Sequence, residues 1–327
     1  MNEAGIATDP ILVNDWHVIA RSSDLREGDL SSARLLGEDL VLWRVNGTAH
    51  VWQDLCMHRG TRLTLGHIED EHMVCGYHGW TYDSEGQCVR FPSHPEQTPP
   101  RTAHAKVYAV REAYDYVWAS LGAPSLDLPP FPEWDDPTYR KIICRPFTYK
   151  AAATRAVENF LDIGHFPFVH AGLLGDLDHT AIEDYEVGST PTGILARNVK
   201  VWQPDPDGTG VGKYVNYTYG TRRPFTAYFS KEGNGQTYMI QLNVTPVDEL
   251  ECIAWMCIAM NYSHDIPEEE LKAFQERIVS QDIPVVESQR PERLPLDLQA
   301  ELHLRSDRIA VAYRKWLKQL GLTFGTA

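Results

Sequence analysis

Cys56-Met57-His58-Arg59-Gly60 and Cys75-Gly76-Tyr77-His78-Gly79-Trp80-Thr81-Tyr82 are the two stretches that decide how this chain is read. Each brings one thiol and one imidazole to the end of a short strand. Upstream, Leu40 to Val45 and Ala49 to Gln53 flank Asn46-Gly47, the two-residue turn best suited to a hairpin. Downstream, Asp83-Ser84-Glu85-Gly86 separates residues 80–82 from residues 88–90, and Val107 to Val110 and Tyr116 to Leu121 read as a further pair. From Ile11 to about Leu121 the expectation is a small all-β unit.

Two thiolates on one iron and two imidazoles on the other form the ligand set of a Rieske 2Fe–2S centre, so Cys56, His58, Cys75 and His78 are its candidate ligands. Neutral imidazoles raise the reduction potential above that of an all-thiolate cluster. A Cys2His2 zinc site would use the same atoms. Buried cysteines and histidines that meet by accident are the third reading. The other four of the six cysteines, Cys88, Cys144, Cys252 and Cys257, read as small core residues.

Pro124 to Pro137 is a proline-rich stretch, extended by its composition, and makes a natural boundary. The domains expected are therefore 11–123, a connector at 124–137, and 138–327. The third segment mixes helices with longer strands. Ile240, Leu242 and Val244 alternate with Gln241, Asn243 and Thr245, and 251–260 reads as the neighbouring strand. That pattern is α+β around an antiparallel sheet. A length of 327 residues exceeds what one core usually fills. Lys plus Arg number 30 and Asp plus Glu 45, so 30 − 45 = −15, a balance that repels nucleic acid and anionic lipid. The apolar run Cys252 to Met260 is far too short for a membrane span. The polar first ten residues read as a frayed start without a secretion signal. With this cysteine usage they point to a reducing, cytoplasmic setting.

A second metal is expected from Glu158-Asn159-Phe160-Leu161-Asp162-Ile163-Gly164-His165-Phe166-Pro167-Phe168-Val169-His170. A helix over Arg155 to Ile163, ended by Gly164, would put Glu158, Asp162 and His165 on one stripe with Asn159 beside it. Pro167 interrupts that helix, so His165 and His170 can aim at one point. Two histidines and one carboxylate on a face of iron leave positions open for dioxygen. The plainer alternative is that the histidines only fill a corner of the core. The third ligand comes from the helix after Pro267, where Leu271, Phe274 and Ile278 mark a buried face and Asp282 is the next position. A carboxylate on such a face needs a partner or a metal. Glu158 is its rival, and Asp282 is preferred.

These motifs resemble the Rieske non-haem iron oxygenases, specifically the α-only terminal oxygenases of the phthalate, vanillate and dicamba group. Met57 and Gly76 stand where respiratory Rieske proteins carry extra cysteines and where many oxygenases carry proline. The likeness runs from about Leu12 to Gly321 and is closest to the hydroxylases of guanidinium-toxin biosynthesis, through 132–137, 165–168 and 306–308. It implies an N-terminal Rieske domain before a helix-grip-like catalytic domain. It implies iron held by His165, His170 and Asp282, Asp162 bridging to a neighbouring cluster, and Asn159 beside the metal. It also implies a homotrimer fed by a separate reductase or ferredoxin. Hydroxylation or oxidative demethylation of a small organic molecule with O2 follows, and a Rieske electron carrier without oxygenase activity is the alternative.

Overall fold

A computed structural model describes residues 9–206, 208–233 and 235–327. The expected frayed start lies outside the described residues except for Asp9 and Pro10. Two compact units divide between Asp127 and Leu128.

The first unit opens with a short helix α1 (Pro10–Val13), capped by Asp9. Its ten strands are β1 (His17–Arg21), β2 (Leu30–Leu35), β3 (Glu38–Val45), β4 (Thr48–Gln53), β5 (His67–Glu69), β6 (His72–Val74), β7 (Thr81–Tyr82), β8 (Cys88–Arg90), β9 (Ala109–Ala113) and β10 (Tyr116–Ser120). They form three antiparallel sheets, ordered β1-β10-β9, β2-β3-β4 and β5-β6-β7-β8. The Asn46-Gly47 hairpin joins β3 to β4 as expected, with Val45 opposite Thr48 and left-handed backbone at both turn residues. Trp43, Trp52, Met73 and Tyr82 fill a core that also takes in Cys56, Cys75 and Cys88.

The second unit is α+β. Its strands are β11 (Arg140–Ile143), β12 (Phe147–Tyr149), β13 (Glu186–Thr190), β14 (Gly193–Gln203), β15 (Lys213–Arg223), β16 (Thr226–Gly233), β17 (Gln236–Asp248) and β18 (Glu251–Met260). They make one antiparallel sheet, β11-β18-β17-β16-β15-β14-β13, with β12 also paired to β18. The helices are α2 (Pro132–Asp135), α3 (Ala153–Leu161), α4 (Phe166–Val169), α5 (Glu268–Ser288) and α6 (Arg308–Leu320). Two elements depart from the sequence expectation, at α3 and α4. Helix α3 stops at Leu161 because Asp162 is already extended, earlier than a stop at Gly164. Pro167 opens the short α4 rather than merely blocking a longer helix, since a proline in the first turn loses no intrahelical bond. Pro284 lies inside α5, which runs six residues beyond Asp282.

Helices α3 and α6 are stitched together by charge. Glu158 on α3 takes a two-pronged contact from Arg314 on α6, at 2.5 Å and 2.8 Å. Glu301 joins both Arg314, at 2.6 Å, and Arg155, at 2.8 Å. Arg155 and Arg314 are buried. Such a group tolerates burial only while every charge keeps its partner. Glu158→Ala should therefore lower the unfolding free energy by about 3–5 kcal/mol, read from urea denaturation. Replacing Glu158 and Arg314 together by leucine and methionine should cost less, since no guanidinium is then stranded. Equal losses would refute the ion-pair account.

Candidate metal centres and their cavity

In the first unit the two motif loops share one backbone design. Cys56 N bonds Thr61 O and Gly60 N bonds Cys56 O; Cys75 N bonds Trp80 O and Gly79 N bonds Cys75 O, all at 2.8–2.9 Å. Gly60 and Gly79 both need positive φ, at 69° and 68°. Gly76 answers a different demand. A Cβ there would sit 2.3 Å from the Leu65 carbonyl oxygen, so neither proline nor alanine fits unless the second loop moves away from the turn at Leu65.

The thiols of Cys56 and Cys75 lie within hydrogen-bonding reach of each other, and Tyr82 Oη lies 3.2 Å from Cys56 Sγ. The His58 and His78 rings are 4.5 Å apart, and Trp80 stacks on His58 at 4.4 Å. Burial pushes the Cys56 thiol up, with Cys75 adding to the shift. Burial, then the charges of His78 and Arg59, hold His58 below its ordinary value. Its Nδ1 is shielded from water and has no partner, which suits a neutral metal ligand. One tetrahedral zinc would need all four donor atoms within about 4 Å of one another. Among the described residues, the metal-ligand group that comes together within 4.8 Å is His165, His170 and Asp282, and the four loop residues form no group that close. Paired thiols and separately paired imidazoles instead fit a two-iron centre.

In the second unit the break after α3 turns the chain so that two rings converge. His165 directs Nδ1 to Asp162 Oδ2 at 2.7 Å, and Gly164 N bonds the other oxygen at 3.0 Å. His170, at the end of α4, directs Nδ1 to Gln281 Oε1 at 2.8 Å. That leaves both Nε2 atoms on one oxygen of Asp282, at 3.4 Å and 3.1 Å. A Gln281 oxygen only accepts, so a neutral His170 turns a bare lone pair toward that carboxylate. The arrangement needs a positive centre among the three atoms, and a metal ion fits it. Asn159 Nδ2 reaches the same Asp282 oxygen at 3.5 Å. Asp282 belongs to the buried stripe Gln275, Ile278, Val279, Asp282 and Val286 of α5, while Phe274, expected on that stripe, is exposed. Its rival Glu158 is engaged by Arg314. Sequence reasoning assigned no role to Gln281 and named none of the aromatic residues between Tyr214 and Tyr238 as a pocket residue. Tyr217, Tyr219, Phe229 and Tyr238 line a cavity of about 420 Å³ that also holds the histidines and Asp282. Their signal was Tyr217 and Tyr219 alternating on β15, with Phe229 opposite Tyr219.

This is the architecture of a Rieske non-haem iron oxygenase, and the chain belongs to that family. Residues 15–109 match the Rieske [2Fe-2S] domain, and residues 149–323 match the vanillate O-demethylase oxygenase C-terminal domain. Methylxanthine N3-demethylase NdmB of Pseudomonas putida is 30% identical over 329 residues, covering 94% of this chain and 89% of that protein. Methylxanthine N1-demethylase NdmA of the same organism is 28% identical, covering 93% and 88%. The solved structure of Pseudomonas putida CBB5 NdmB superposes with a TM-score of 0.83 at 26% identity, over 97% of this chain and 94% of that one. Oxidoreductase NdmD of Pseudomonas putida matches over 114 residues only, at 40% identity, spanning 34% of this chain and 19% of its own length. The chain is thus a terminal oxygenase with a 2Fe–2S cluster and a mononuclear non-haem iron. It uses O2 and externally supplied electrons to hydroxylate or demethylate a small organic substrate. The electron-carrier alternative fails, because an oxygenase domain accounts for the second unit.

Without metal, protons take the place of the ion. Burial opposes the charged form of His165, but hydrogen bonds to Asp162 and Asp282 outweigh it and raise its pKa to about 9. Stability from this shift is complete below about pH 6.5, the unfolded value, and is lost as pH rises through about 9. Asp162→Asn should lower the His165 midpoint in metal-stripped protein, followed by ring-proton NMR. An unmoved midpoint would mean the Asp162 contact contributes nothing.

Proposed function

We propose that His165, His170 and Asp282 hold the mononuclear iron, and that Cys56 with Cys75 and His58 with His78 hold the two irons of the cluster. On this reading residues 11–123 receive electrons, 124–137 connect, and 138–327 carry the chemistry. The observation that carries it is the convergence of two imidazole nitrogens and one carboxylate oxygen beside an aromatic cavity. When bound, the iron activates dioxygen and the cluster delivers electrons singly. The protein does the rest. Asp162 and Gln281 fix the tautomers of His165 and His170, so that each presents Nε2. The wall of the cavity excludes water and lays a flat substrate against the open positions. Asn159 stands beside Asp282 as a hydrogen-bond donor.

The reaction proposed is oxidative N-demethylation of a neutral methylated heterocycle, the chemistry in the names of NdmA and NdmB. An N–CH3 group, O2, two electrons and two protons give N–CH2OH and water. The carbinol then breaks its C–N bond to leave N–H and formaldehyde. A separate cytoplasmic reductase supplies the electrons. The test is O2-dependent formaldehyde release from N-methylated heterocycles, with a surrogate reductase present. A ring-hydroxylated product without formaldehyde would replace demethylation by hydroxylation.

Purified protein should hold about three irons per chain. Asp282→Ala should remove about one of them by metal analysis and abolish turnover, leaving the Rieske absorbance intact. Loss of iron from Glu158→Ala with Asp282→Ala still active would reverse the choice of carboxylate.

A homotrimer is proposed in which one subunit's cluster serves its neighbour's iron. Asp162 supports this, because its side chain is 34% exposed while its histidine partner is 14% exposed, so it can take a second hydrogen bond from a neighbour's His78. Coexpressed His78→Ala and His165→Ala subunits, each inactive alone, should recover part of the turnover as mixed trimers. Adding Asp162→Asn to the His78→Ala subunit should suppress that recovery. Metal-filled mixed trimers without turnover would end the intersubunit route.

A further inference from the structure

Residues 171–179 follow the candidate ligand His170 directly, and their backbone folds back on it. Leu173 N and Leu174 N both bond His170 O, at 2.9 Å and 3.0 Å, and Gly172 N bonds Gly175 O at 2.8 Å. Gly175 is buried, so close to α4 that a Cβ there would sit 2.8 Å from Pro167 N. Leu173 and Leu174 are only half-buried, and both line the cavity that holds His165, His170 and Asp282. The turn that leaves a candidate ligand thus presents two branched aliphatic side chains to the same space. Neither offers a hydrogen bond, so both act on an occupant through contact and exclusion.

The far end of this turn is fastened to the sheet. One carboxylate oxygen of Asp176 accepts from Trp202 Nε1 at 2.8 Å, and the other takes His179 Nδ1 at 2.6 Å. The His179 ring stacks on Trp202, with centroids 3.9 Å apart, and Tyr214 meets Trp202 edge to face at 5.4 Å. Trp202 lies on β14, and the residue after it, Gln203, lines the cavity. Asp176, His179 and Trp202 do not line it themselves. Whatever their cluster does to an occupant, it does through the leucines that the turn carries.

We propose that Leu173 and Leu174 set the width of the ring system that the cavity accepts, and that Asp176 is the positioning residue that holds them in place by bonding Trp202. This deepens the substrate-site reading above and rests on it. The two leucines are then specificity residues, separate from the metal ligands and from the aromatic wall.

Two N-methylated rings that differ by one fused benzene, 1-methylindole and 9-methylcarbazole, test this by equilibrium dialysis against oxidised holoenzyme with no electron donor. The quantity read is the ratio of their dissociation constants. Leu173→Ala and Leu174→Ala combined should move that ratio at least about tenfold toward the carbazole. Asp176→Ala should move it several-fold the same way. Trp202→Phe, which removes the N–H and keeps a ring for His179 to stack on, should do likewise. Asp176→Asn still offers Trp202 an acceptor and should hold the ratio within about twofold of the native value. Leu177→Ala lies in the same segment, 67% exposed and away from the cavity, and should leave the ratio within about twofold as well. An unmoved ratio in the double leucine variant overturns the inference, and so does an equal shift from Leu177→Ala. A ratio moved by the leucines but by neither Asp176→Ala nor Trp202→Phe overturns the role of Asp176. Should Asp176→Ala fail to fold, Trp202→Phe decides that role. Failure of the native enzyme to bind either probe overturns the substrate-site reading and this inference with it. The expected shifts without formaldehyde release from 1-methylindole count against the demethylation reading alone.

Discussion

Two imidazole nitrogens and one carboxylate oxygen held face to face out of water are the constraint on which the catalytic unit depends. With both rings neutral, lone pairs would face the carboxylate, and a positive charge, a metal ion or a proton on His165, relieves that. His165 and His170 are five positions apart and could not converge from an unbroken helix. The extended backbone at Asp162 and the new start at Phe166 reorient them. Asp282 comes from α5, and its neighbour Gln281 anchors His170 from the same turn. One helical turn thus supplies both a candidate ligand and the group that orients another.

The surrounding packing serves the same end. Glu158 stands four residues before Asp162, and its contact with Arg314 ties α3 to α6, so the segment that carries the histidines is anchored by charge away from the candidate metal site. The sheet supplies the other boundary. Tyr217, Tyr219 and Phe229 lie side by side across β15 and β16 because antiparallel register puts Tyr219 opposite Phe229. A flat aromatic wall results, lining the same cavity as His165, His170 and Asp282.

The first unit solves a different problem, that of holding two thiolates and two imidazoles as separate pairs. Each loop closes on itself through the same pair of backbone hydrogen bonds, with the cysteine at its start and a left-handed glycine near its end. Histidine falls one position later in the second loop than in the first, so the pairing of rings follows from how the two loops face each other. Gly76 lets the second loop pack against the backbone of Leu65, which gives a physical reason for the absence of proline there.

Much of this was legible in the sequence, because it depends on spacing along the chain. The Cys-x-His and Cys-x-x-His loops, the Asn46-Gly47 hairpin and the alternation of β17 are local patterns fixed by covalent geometry and side-chain period. Asp282 could be read for the same reason, as a carboxylate continuing an apolar helical series. The end of α3 was misjudged by a few residues because Asp162 trades helical backbone for its contacts with His165 and Gly164, a choice made by side chains. Helix α5 continues through Pro284. Only the tertiary structure decided that Glu158 belongs to Arg314, 156 positions away, and is therefore unavailable to a metal. Only the tertiary structure brought Gln281 to His170 and gathered Gln203, Tyr217 and Tyr219 around one cavity. Those contacts depend on strand register and on how helices pack against the sheet, and no spacing along the chain encodes either.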